Sequence, residues 1–103
     1  MDTSELRQHI LRIVAAIPHG KVASYGQIAT FCGYPSYARY VGTVLRNLPK
    51  DTMLPWYRVI NSRGEIAFPI NSKAYIRQLT LLSEEGVNLE NGKISMRIYG
   101  WSV

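Results

Sequence analysis

The sequence predicts a mainly helical α/β domain built around a helix-turn-helix, on three observations. Apolar residues recur at helical spacing in three separate stretches, around 6–17, 41–48 and 76–82. Two predicted helices are joined by a tight turn at Gly33, Tyr34 and Pro35, the connection of a helix-turn-helix. The runs with strand character, around 57–60 and on either side of Asn91-Gly92, are short.

Each element has a local cause. Asp2 and Glu5 read as a capping box, which satisfies the first free amides of a helix carrying Leu6, Ile10, Ile13, Val14 and Ile17. Pro18 and Gly20 end it, and residues 21–23 are extended. Ser24 and Gln27 form a second capping box, opening a short helix over 25–32 that Gly33 stops. Ser36 is read as the N-cap of the next helix, about 37–48, whose stripe is Val41, Val44, Leu45 and Leu48 and whose end is Pro49. Its opposite face carries Arg39, Thr43 and Arg46, with small Ala38 and Gly42 beside them. A basic face on the second helix of such a unit is where a DNA groove lies. Gly42 equally serves close helix packing.

Residues 50–54 are a loop and 57–60 a strand. Residues 61–64 are a turn, with 65–68 pairing back as a second strand. Ser72 caps a last helix carrying Ile76, Leu79 and Leu82, and Gly86 suits its end. Asn91-Gly92 fits a type I′ turn between strands at 87–90 and 93–96. The tail from Arg97 on, with Tyr99 and Trp101, packs on the body.

Composition narrows the function classes. The 103 residues suit a single domain, 1–103, and the 47% hydrophobic content excludes a disordered polymer. No apolar run approaches a membrane span, and the polar start of the chain does not read as a signal peptide. The one cysteine, Cys32, excludes an internal disulfide and a cysteine-based zinc site, and it suits a reducing cytoplasm. His9 and His19 have no ligand spacing, so no metal and no cofactor are expected. The whole net charge of +5 falls within residues 39–77, where basic residues outnumber acidic ones and the remainder of the chain balances. That stretch reads either as a footprint for a polyanion or as a solvated surface, and charge alone does not choose.

Three segments together resemble one family. They are residues 17–29 (IPHGKVASYGQIA), residues 38–42 (ARYVG) with Asn47, and residues 55–60 (PWYRVI), and residues 81–86 (LLSEEG) add a fourth. In order and spacing they resemble the DNA-binding C-terminal domain of the O6-alkylguanine-DNA alkyltransferases, over roughly residues 5–90. The resemblance implies a winged helix-turn-helix that docks in the minor groove, whose reading is largely limited to A·T against G·C. The family's acceptor Cys is replaced here by Trp56 and its His by Tyr57, while Glu85 matches the relay Glu. Alkyl transfer needs a thiolate activated by a neighbouring base, and indole offers no free lone pair. This departure resembles the alkyltransferase-like proteins, which bind lesions without repairing them.

The resemblance also assigns roles to individual residues. Tyr25 contacts the phosphate beside the flipped nucleotide and helps rotate it, and Arg39 enters the stack in its place. Trp56, Tyr57, Tyr25, Pro55 and Glu85 form the lesion pocket. Ser24, Gln27, Ser36, Tyr37, Ala38, Arg39, Gly42, Thr43 and Arg46 meet the DNA. Asn47 braces the site turn and Arg58 supports it. Read without the family, Trp56 is a buried core residue, Tyr25 an ordinary helix residue and Arg39 a surface arginine. Tyr57 hydrogen-bonds either the lesion or Glu85. The expected function is recognition of O6-alkylguanine in duplex DNA by nucleotide flipping, by a monomer, with the lesion passed to nucleotide-excision repair proteins. The rivals are a residual alkyltransferase using Cys32 and a sequence-specific winged-helix regulator.

Overall fold

The computed structural model describes residues 3–102. Its elements run α1 (Thr3–Ala16), β1 (Ala23–Ser24), α2 (Tyr25–Phe31), α3 (Ala38–Arg46), β2 (Val59–Ile60), α4 (Lys73–Glu84) and α5 (Met96–Tyr99). Single 3-10 turns precede α3 at Pro35–Tyr37 and β2 at Trp56–Arg58. The predicted cap Asp2 lies outside the described residues.

The mainly helical prediction holds, and α2, its turn and α3 form the helix-turn-helix. Ser24 caps α2 as the sequence implied: its side chain accepts from Gln27 N–H at 3.0 Å, and the Gln27 side chain accepts from Ser24 N–H at 3.4 Å. Ser36 does not cap α3. Pro35 starts a 3-10 turn that takes up Ser36, so α3 begins at Ala38 after Tyr37 and has no side-chain cap.

The sheet is a parallel pair, with Ala23 opposite Val59 and Ser24 opposite Ile60. Residues 57 and 58 belong to the 3-10 turn and not to the predicted strand. Residues 65–68 do not form a strand either. They return a single backbone bond, Asn61 N–H to the Glu65 carbonyl, because Asn61 Oδ1 takes the N–H groups of Arg63 and Glu65 and curls the chain. The wing is therefore the loop 61–71. Asn91 and Gly92 adopt the left-handed values of a type I′ turn, φ 53° and 78°, but pairing stops at Glu90 and Lys93. The expected strand over 93–96 is not formed: Ser95 caps α5, a helix the sequence reading missed.

Two apolar clusters hold the frame. Leu6, Ile10 and Val14 of α1, and Ile17 just after it, pack on Ile28, Val41 and Val44 under the helix-turn-helix, with Val59 reaching in from β2. Val22, Ile60, Ile66, Leu82, Val87 and Ile94 form the second. Ile76 is 51% exposed, contrary to the predicted stripe, because α4 buries the face of Gln78 and Leu82. The tail packs as expected: Gly100 bridges Val22, Trp101 N–H donates to the Val22 carbonyl at 2.8 Å, and the Trp101 ring stands edge-on to Phe31 at 5.5 Å.

Candidate nucleic-acid interface

The capping box fixes the start of α2, and with it Tyr25, at the mouth of a cleft against α3. Tyr25, Ala38, Arg39, Gly42 and Arg46 line one side of this cleft of about 830 Å³, and residues 61–63 and 67–69 of the wing line the other. Gly42 lies beneath the Tyr25 ring, where a Cβ would stand 3.8 Å from it. Burial pushes the Tyr25 phenol up, against a smaller opposing pull from Arg46, so at neutral pH it is a hydrogen-bond donor. Arg39 is exposed at the start of α3. Thr43 Oγ1 donates to the Arg39 carbonyl and accepts from Arg46 Nη2, tying the basic face together.

A second cavity of about 440 Å³ opens beside the first, and Arg46 and Phe68 line both. Trp56 forms part of its wall with Leu45 and Leu48, and the Phe68 ring stands edge-on to Trp56 at 6.4 Å. Trp56 is half-buried and meets open space rather than the core.

The turn that carries Trp56 is held from behind. Arg58 pairs with Glu85 through Nη2 at 2.6 Å and Nε at 2.9 Å, and its Nη1 donates to the Ile17 carbonyl at 2.7 Å. Tyr57 O–H donates to Glu85 at 2.7 Å, and Gly20 N–H donates to the same carboxylate at 2.9 Å. Burial alone would raise the Glu85 carboxyl, but the bonds from Arg58, Gly20 and Tyr57 outweigh it and hold it at about 2. Burial also pushes the Tyr57 phenol up, and its bond to Glu85 adds to the rise.

The structure thus divides the predicted pocket. Trp56 and Tyr25 line the two cavities, whereas Tyr57, Pro55 and Glu85 line neither. Tyr57 and Glu85 are occupied with each other and with Arg58, and Pro55 begins the 3-10 turn. Of the expected DNA contacts, Gln27 is turned inward: its amide oxygen is used by Ser24 and its Nε2 donates to the Trp101 carbonyl at 2.7 Å. Ser24 Oγ is the α2 cap, and Ser36 and Tyr37 are exposed beyond the cleft. Asn47 does not brace the Trp56 turn among the described residues. It is the exposed C-cap of α3, and its backbone N–H closes that helix.

The brace the sequence reading missed is Gln78. It is 1% exposed, and its Nε2 donates to the carbonyls of Tyr57 and Val59 at 2.9 and 3.0 Å. A polar residue inside the apolar stripe of α4, beside Leu79 and Leu82, was the available signal. Cys32 is 6% exposed in the core under α2, and burial pushes its thiol up. Among the described residues, no cluster of His, Cys, Asp and Glu could hold a metal ion, and no helix is long and apolar enough to cross a membrane.

A helix-turn-helix with a basic second helix, facing a wing across a cleft, defines a DNA-binding domain. The family model for the 6-O-methylguanine DNA methyltransferase, DNA binding domain, matches residues 5–87. The chain belongs to this family. It is 47% identical to a DNA base-flipping protein of Vibrio parahaemolyticus, over 89% of this chain and 91% of that one. It is 42% identical to alkyltransferase-like protein 1 of Schizosaccharomyces pombe, over 98% of each. The crystal structure of S. pombe Atl1 with damaged DNA containing O6-carboxymethylguanine superposes with a TM-score of 0.92 at 40% identity, covering all of both chains.

Proposed function

We propose that the protein recognises O6-alkylguanine in duplex DNA by binding the minor groove and flipping the nucleotide, and that it performs no chemistry on the lesion. One observation carries the reading: the cleft with Tyr25 and Arg39 opens beside a cavity walled by Trp56, where the family's transfer chemistry would require a thiolate. The cleft takes the backbone, with the Tyr25 hydroxyl donating to a phosphate. Arg39 replaces the flipped base in the stack, since its planar cation both stacks and donates hydrogen bonds. The base enters the adjoining cavity, and Trp56 offers its face to the alkyl group. Flipping costs a few kilocalories per mole, and less for a poorly paired lesion, which favours damaged guanine before any contact forms. Cys32 does not rescue an enzymatic reading, because its thiol is buried in the core and held protonated. The protein acts as a monomeric single domain, in the cytoplasm on chromosomal DNA, and presents the bound lesion to nucleotide-excision repair proteins.

A competition titration at fixed salt tests this, with a duplex carrying O6-methylguanine against the same duplex with guanine. The wild type prefers the lesion, and Arg39→Ala reduces that preference about tenfold, the worth of one stacking contact. Equal affinity for both duplexes overturns lesion recognition.

A further inference from the structure

The cavity walled by Trp56 is cationic at its rim. Lys50 from the loop after α3, Lys73 and Arg77 from α4, and Arg46 from α3 line it together with Trp56 and Phe68. Lys73 and Arg77 are one helical turn apart, so both stand on the same face of α4. Among the described residues, no carboxylate lines the cavity. The nearest acid in sequence, Asp51, is exposed outside it, and Glu65 is taken up by Arg63 at 3.0 Å. An aromatic wall suits a purine and a hydrocarbon chain. A ring of cations has no use for either, and it is the complement of a negative charge brought in at the end of the adduct.

We infer that Lys73 and Arg77 make this pocket selective for O6 adducts that end in an anionic group, a carboxylate, over neutral alkyl groups of the same size. The inference rests on the reading of the cavity as the lesion pocket. The base enters the cavity, the O6 substituent runs along the Trp56 face, and its far end reaches Lys73 and Arg77 of α4. There a carboxylate gains charge-assisted hydrogen bonds that a methyl or a carboxamide does not.

The test is a competition titration at fixed moderate salt with four otherwise identical duplexes. They contain guanine, O6-methylguanine, O6-carboxymethylguanine, or the neutral carboxamide analogue of the last. The wild type is compared with Lys73→Gln/Arg77→Gln, and circular dichroism confirms that both are folded. For the wild type, the carboxymethyl duplex binds about fivefold more tightly than its carboxamide analogue, the scale of partly exposed ion pairs. In the double variant that ratio falls close to one. If the variant weakens all four duplexes by one factor and keeps the ratio, these cations serve DNA phosphates and the inference is overturned. A lesion preference in the wild type with no difference between carboxylate and carboxamide overturns the inference alone. No preference for any adduct over guanine overturns the lesion reading beneath it as well.

Discussion

Glu85 joins segments that are far apart in the chain. Its carboxylate takes hydrogen bonds from Gly20, Tyr57 and Arg58, and through Arg58 it reaches Ile17, just beyond the end of α1. The side chain is 7% exposed, so the charge is kept only because these donors are present. The carboxyl is held at about 2, below the ordinary 4.5, so its ionised form favours the folded state. That contribution is complete above about pH 4.5, fades as the pH falls toward 2, and amounts to about 3 kcal/mol at neutral pH. Urea denaturation followed against pH checks this: the wild-type midpoint drops across that window, and Glu85→Gln starts lower at pH 7 and drops less. In the sequence, the Glu was legible by resemblance as a relay member of the pocket. The structure gives it a bracing role, because Tyr57 in the place of a histidine presents a protonated hydroxyl to it and no base.

Among the elements, legibility followed the reach of the interaction. The α2 capping box was readable because both partners lie within four residues, and the bonds form as the pattern implied. Ser36 carried a similar local sign, but Pro35 initiated a 3-10 turn first. The strand expected at 65–68 was lost to the local turn around the Asn61 side chain and also to a contact of longer range. Gly64 sits at φ +80°, its carbonyl accepts from Ile94 N–H at 2.7 Å, and the loop is pinned to the segment before α5 instead of folding back on β2. Nothing near Gly64 in the sequence announces Ile94. A Cβ at Gly64 would lie 2.6 Å from the Ile94 carbonyl oxygen, in a backbone conformation that L residues avoid. Gly64→Ala is therefore expected to lose at least about 1–3 kcal/mol of stability in urea denaturation. The same change loosens the wing, since residues 61–63 line the cleft.

For the whole molecule, the placement of charge was legible before the fold. The basic stretch 39–77 has no single structural element of its own, yet α3, the wing and α4 bring its side chains around two adjoining cavities. The cleft itself presents Arg39, Arg46 and Arg63. With three phosphates neutralised there, the logarithm of the binding constant falls with the logarithm of salt at a slope of about −2.7. A fourfold rise in salt then weakens binding to an undamaged duplex about 40-fold. Titrations at several salt concentrations measure this slope, and Arg46→Gln should make it shallower by about 0.9. A slope near zero would show that the cleft does not carry the backbone.

The isolation of Cys32 in the core makes it a native reporter. As the single cysteine of the chain, packed in the core beneath α2, it meets a thiol reagent only when the helix-turn-helix comes apart. Its labelling rate, set against that of a free cysteine, reads the opening free energy of that unit without any engineered label. DNA held in the cleft slows the labelling in proportion to its own affinity, so one reaction at one atom measures both local stability and occupancy.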